Sequence, residues 1–290
     1  MKFDRRLMVL MGLLTALLLV LAACGETEGD DPSAGDTDDT SSENGGEEQE
    51  VTTLEEGVLT VGSDIPYPPF EYREGGELVG LDIDLIKEIG TRLDLEVTDD
   101  DITDTSFDTI FTQLAGARYD VVVAASTITP EREEEVNFSD PYYNSQQSLT
   151  VETGSDIASI EDLAEGDVIG VQNGTTGKAY AEENVPEGVE IRSFKQGPDG
   201  YTALEAGQVV GVINDEPTAL AEIEARGDTL ELVERIDTGE AYGIAVDPSN
   251  EPLLEAINQA LAEMIEDGTY QEIYDRYSDL PPGGSVAEEG

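Results

Sequence analysis

The sequence has no histidine and a single cysteine in 290 residues, and its 14 lysines and arginines face 66 acids. Without histidine there is no His-based catalytic triad, His metal site or His general base. With only Cys24 available, no disulfide can form within the chain. Nucleic acid is excluded as a partner, because neutralising phosphates requires basic patches that so few cations cannot build. The net charge of −52 favours cationic or zwitterionic ligands and resists aggregation. Such an excess also suits a saline habitat, where salt screens the self-repulsion.

One long apolar run stands at the start. Lys2, Arg5 and Arg6 precede a nearly unbroken hydrophobic stretch from Leu7 to Leu21, followed by Ala22, Ala23 and Cys24. This is the pattern of an exported chain, and it is similar to a bacterial lipobox, in which the cysteine becomes the lipidated first residue. Residues 1–23 then read as a lipoprotein signal peptide, with Cys24 anchoring an extracytoplasmic protein to the cell membrane. An uncleaved anchor is the other reading, since the run approaches spanning length. Residues 25–50 contain eleven acids, no base and almost nothing apolar. Such a segment cannot bury enough surface to offset its ordering entropy, so residues 24–56 are expected to be a disordered acidic tether. The remaining 240 or so residues are enough for one large or two modest domains.

Strand and helix patterns alternate through this region. "VLTVGSD" (58–64) alternates as a strand does, and Leu81, Leu85, Ile86, Ile89 and Leu93 recur at helical spacing. "LEVTDD" predicts a second strand, and Phe107, Ile110, Phe111 and Leu114 share one helical face. "DVVVAAS" is a short run rich in β-branched residues, as suits a strand covered on both faces. After "NSQQSLTVE" the alternation restarts. It has helices at "SIEDLAE", from about Thr176, at "DGYTALEAG" and at "EPTALAEIEAR", and strands at "DVIGVQ", "EIRSF" and "VVGVIND". "AYGIAVD" reads as a further strand. One long amphipathic helix then covers "EPLLEAINQALAEMIEDGTYQEIYDRY", and the tail 281–290 is expected to be flexible. Two successive α/β units of about a hundred residues point to two lobes built on mainly parallel sheets.

Several familiar motifs fail on inspection. "QNGTTGKA" has Gln172 where a phosphate loop needs its first glycine, and Ala179 where a hydroxyl would hold magnesium. "TDDDITD" lacks the glycine and alternating spacing of a calcium loop. Carboxylate pairs of the glycosidase kind are abundant by chance in so acidic a chain.

Ligands of open α/β sheets bind beyond the carboxyl ends of the strands. Four such ends carry polar groups: Asp64 with Tyr67, the stretch Ala125 to Arg132, the turn "VQNGTTG" leading to Thr176, and Asp215. Together they suit a zwitterion. Arg132 can grip a carboxylate bidentately, Thr127 and the amides near Thr176 can add hydrogen bonds, and Asp215 can accept an ammonium. Singly, each also has an ordinary structural reading. Arg132 could pair with Glu133 to Glu135, Asp64 and Asp215 could be turn or N-cap residues, and Phe107 could simply be core.

From about Val58 to Tyr277 the chain resembles the family 3 extracellular solute-binding proteins, which serve polar amino-acid ABC transporters. "PYPPFEY", "LVGLDIDL", "FDTIFTQLAGARYDVVVAASTITPEREEEVNFSDPYY", "GVQNGTTG" and "GTYQEIYDRY" follow that family's pattern in order. The resemblance implies an α/β, two-lobed periplasmic-binding-protein-like fold of type II, with two hinge strands near Tyr143–Leu149 and Ile236–Ala241. Lobe 1 would comprise residues 57–143 and 240–280, and lobe 2 residues 144–239. Arg132, Thr127 and Thr176 would hold the ligand carboxylate and Asp215 its α-ammonium. Phe107 and Tyr67 would sandwich the side chain, Asp64 and Gln172 would meet its polar end, and Ala125 would offer backbone where some members have serine.

The function so implied is a monomeric, lipid-anchored subunit that captures a free amino acid and delivers it to an ABC transporter permease, with no cofactor, metal or catalytic residue. The same fold resembles exported cyclohexadienyl dehydratases, which the missing histidine disfavours without removing carboxylate catalysis. A ligand-sensing module is the third reading. Two cleft carboxylates, Asp64 and Asp215, against Arg132 predict arginine or lysine first, glutamine next and acidic amino acids last.

Overall fold

The branched apolar residues around Val61 and Val121 are wholly buried and build the centre of one sheet. The computed structural model describes residues 51–227, 229–277, 280–281 and 283–289. The expected signal peptide, Cys24 and the tether up to residue 50 lie outside the described residues. The first sheet has β1 (Val61–Ser63) parallel to β4 (Ile102–Asp104) on one side and to β5 (Val121–Val122) on the other. Beyond β5 lie β12 (Ala245–Val246) and β6 (Asn137–Phe138), both pairings antiparallel. Helix α1 (Leu81–Arg92) buries Leu81, Leu85, Ile86 and Ile89 against this half, the stripe its spacing predicts. Helix α2 (Ile110–Ala115) buries Ile110 and Leu114 with Phe107 and Tyr119 in a second apolar cluster. A small hairpin, β2 (Tyr72–Glu74) and β3 (Glu77–Val79), leads into α1 and is not foreshadowed by alternation.

The second sheet runs in the order β11 (Leu230–Tyr242), β7 (Tyr143–Glu152), β10 (Gly211–Asp215), β8 (Val168–Gln172), β9 (Glu190–Phe194). Strands β10, β8 and β9 are mutually parallel, whereas β7 is antiparallel to both β10 and β11. Helices α4 (Thr176–Asn184), α5 (Gly197–Glu205) and α6 (Glu216–Arg226) each follow a strand of this sheet. The chain crosses between the sheets after β6 and again between β11 and β12. At the crossings the Tyr142 amide donates to the Tyr242 carbonyl (2.9 Å) and the Ser139 amide to the Ile244 carbonyl (2.8 Å). This is the two-lobed α/β fold that the resemblance implies.

Five segments differ from expectation. "LEVTDD" contributes only a bridge at Glu96 and a short turn at Asp99–Asp101; the strand is the next segment, β4. Asp101 accepts the Thr98 amide (2.8 Å), and that cap closes a turn before extended pairing begins. "SIEDLAE" makes one turn, Ile160–Asp162, closed by the same kind of cap from Ser159. The long C-terminal helix is two helices, α7 (Glu251–Asp267) and α8 (Thr269–Tyr274), divided where Gly268 adopts a left-handed φ of 86°. The ends are more ordered than composition suggests. The Leu54 amide donates to Asp120 (2.7 Å), so residues 51–56 belong to the fold rather than to the tether. Within the expected flexible tail, Ser285 is buried and the Asn144 amide donates to the Gly284 carbonyl (2.8 Å). Gly284 allows this because any side chain there would strike the Tyr143 ring.

Candidate ligand-binding site

The strand ends converge as the topology requires. Asp64 follows β1 and Ala125 to Arg132 follow β5, while Gln172 closes β8, Thr176 opens α4 and Asp215 closes β10. All nine residues singled out from the sequence line one narrow cleft between the two sheets. Glu71, Ala124 and Thr175 complete its wall.

The segment "ASTITPER" shows how local chemistry places a cation there. The Thr129 hydroxyl accepts the Arg132 amide (3.3 Å) and Pro130 opens the short helix α3 (Pro130–Glu133), which aims the Arg132 side chain inward. The guanidinium donates to the Thr127 carbonyl (2.6 Å) and, across the cleft, to the Gly174 carbonyl (3.2 Å). Its central carbon lies 5.0 Å from the Phe107 ring centre and 5.2 Å from that of Phe111. Among the described residues Arg132 forms no ion pair, and the pairing with Glu133 to Glu135 does not occur. Burial lowers the Arg132 pKa, opposed by the charges of Asp215 and Glu240.

The opposite wall carries acids. The Tyr242 hydroxyl (2.6 Å) and the Gln147 amide donate to Asp215, and the Tyr67 hydroxyl lies 2.8 Å from it. Burial, and secondly the charge of Glu240, push Asp215 up to about 7. Asp215 holds the N-cap position of α6 but its side chain caps nothing, which removes that ordinary reading. Asp64 accepts from the Gln172 amide across the cleft, and burial raises it to about 7. Phe107 serves twice, being both cavity wall and part of an apolar cluster. Tyr67 turns its hydroxyl toward Asp215 and Asn214, so it joins the halves as well as bounding the cavity.

Several residues here escaped the sequence reading. Asp82 is fully buried and accepts from the Ala125 amide (2.7 Å) and the Tyr142 hydroxyl (2.9 Å). That contact holds Ala125 at a left-handed φ of 43°, a conformation that costs a residue with a β-carbon about 1–2 kcal/mol. Burial raises Asp82 to about 7, and burial with the charge of Asp82 raises its neighbour Glu71 well above the carboxylate range. A signal for Asp82 did exist, because it shares a helical face with Ile86 and Ile89. Gln147 and Glu240 had none, since both lie on the long crossing strands, whose sequences are rich in polar residues.

A desolvated cation on one wall and acids on the other can bind a zwitterion, because ion pairs in a water-poor cavity are far stronger than at the surface. Two α/β lobes joined by paired crossing strands, with a polar cavity at the strand ends between them, make this a type II periplasmic-binding fold. Residues 59–279 match the bacterial extracellular solute-binding proteins, family 3, and the chain belongs to that family. The L-cystine-binding protein TcyJ of Escherichia coli (strain K12) is 32% identical over 231 residues, covering 77% of this chain and 83% of that protein. The ABC transporter arginine-binding protein 1 of the same strain is 33% identical over 224 residues, covering 76% and 90% respectively. A solved structure of an ancestral arginine-binding protein bound to glutamine is 39% identical with a TM-score of 0.73, covering 78% of this chain and 100% of that one.

Proposed function

We propose that the protein captures a cationic or polar amino acid between its lobes and delivers it to an ABC importer, arginine or lysine being preferred, glutamine second and acidic amino acids last. The observation that carries this reading is Arg132, a half-buried cation without an acidic partner among the described residues, facing Asp215 and Asp64 across one cleft. The ligand carboxylate meets Arg132, with Thr127 and Thr176 beside it. Its α-ammonium meets Asp215, and a cationic or amide side chain reaches Asp64 and Gln172. Kinship with arginine- and cystine-binding proteins and with a glutamine-bound structure supports an amino-acid ligand. Lobe closure about β7 and β11 is part of the same proposal, as is anchoring of the mature chain through a lipid on Cys24.

A thermal-shift screen against the twenty amino acids tests the ligand. A ligand at a hundred times its Kd adds about 2.7 kcal/mol of stability, so arginine or lysine should raise the midpoint most. No shift with any of the twenty would overturn the reading. Cys24→Ser should abolish incorporation of labelled fatty acid into the protein, and the absence of such labelling in the wild type would refute the lipid anchor.

A further inference from the structure

Glu240 is not a wall of the cavity, yet it touches both sides of it. Its carboxylate accepts from the Thr127 hydroxyl (2.9 Å), which hangs from the first sheet, and from the Thr176 hydroxyl (3.1 Å) at the start of α4 in the second. The Gln147 amide, on β7, lies 3.1 and 3.2 Å from its two oxygens. Glu240 itself sits on β11, where the pairing with β7 slips between Ile236 and Glu240 and re-aims the strand.

Two consequences follow from this geometry. Each threonine hydroxyl has one proton, both protons point at Glu240, and the Thr176 oxygen lies 3.3 Å from the Gln147 amide, so Glu240 fixes the rotamer of both hydroxyls. The Glu240 charge also stands close enough to Asp215 to disfavour ionisation of the empty site. An incoming ammonium would relieve that repulsion.

We propose that Glu240 is a positioning and specificity-determining residue, orienting Thr127 and Thr176 and joining Asp215 in setting the negative field that receives the ligand's ammonium group. This rests on the amino-acid-binding reading above. Because the carboxylate is held from both lobes at once, it also favours the closed arrangement. The groups around Asp215 are Glu240, Glu71, Arg132, Tyr67, Tyr242 and the Gln147 amide; of the two acids, Glu240 is the one whose charge raises Asp215 most after burial.

The test compares the wild-type protein with Glu240→Gln by calorimetry, using arginine, lysine and glutamine across pH 5 to 8, together with unfolding of both unliganded proteins. Gln is near-isosteric and Glu240 is half-buried, so the variant should fold. The affinity for the wild-type ligand should fall at least tenfold, while the unliganded midpoint stays level or rises. The pH at which affinity is lost should move downward, because the charge that raises Asp215 is gone. Equal affinity in the two proteins would overturn the inference. So would a weaker variant whose midpoint drops and whose pH profile does not move, since that is the behaviour of a structural residue. Failure of the wild type to bind any of the three would instead overturn the functional reading beneath it.

Discussion

Arg132 is held by two carbonyls and two aromatic rings rather than by an acid, so its charge is available to a ligand. Arg132→Ala should therefore abolish binding while leaving the fold intact. Leaving a buried ligand carboxylate unpaired costs about 3–5 kcal/mol, a loss of at least a hundredfold in calorimetric affinity. The acids titrate in the opposite sense to ordinary surface carboxylates. Asp64, Asp82 and Asp215 are raised from 3.8 to about 7, so the folded chain holds protons that the unfolded chain has already lost. Their stabilisation is complete below the unfolded value and disappears as pH rises through 7. The unliganded midpoint should accordingly fall between pH 5 and 8. Affinity for a cationic amino acid should rise over the same range, because binding requires Asp64 and Asp215 ionised. A midpoint that climbs with pH would contradict the burial of these groups.

Among the elements, two glycines mark where backbone freedom matters. Gly174, in the turn between β8 and α4, has φ 80°, and a β-carbon there would lie 2.9 Å from the Asp108 Cα on the facing lobe. Gly174→Val should prevent full closure and weaken ligand binding at least tenfold. The unliganded protein should lose only the 1–2 kcal/mol of a strained φ. Gly268, between α7 and α8, has open space around it, so Gly268→Ala should cost a similar 1–2 kcal/mol in denaturant unfolding and leave affinity unchanged. The helices around these glycines were largely legible, because their apolar stripes repeat within a few residues. The crossing strands were not legible from periodicity, although the family resemblance places them near Tyr143–Leu149 and Ile236–Ala241, inside β7 and β11. β11 carries Glu231, Glu234 and Arg235 along its length, and only pairing with β7 makes it extended.

For the whole molecule, a net charge of −52 implies repulsion that salt should relieve. The melting midpoint should rise from low salt to molar NaCl, and equal midpoints would show that the charges are too dispersed to matter. The sequence by itself determined the alternation of strands and helices, the four polar strand ends and the lone cation among acids, because propensity, capping and periodicity act over short stretches of chain. It also contained the family pattern over most of its length. Only the tertiary structure decided which polar groups share one cavity. Tyr67 meets Asp215 across 148 residues of chain and Gln147 meets Glu240 across 93, and nothing local to either partner encodes such a contact. Sheet order and the two crossing strands bring them together, and burial between the lobes then lifts the pKa values of Asp64 and Asp215.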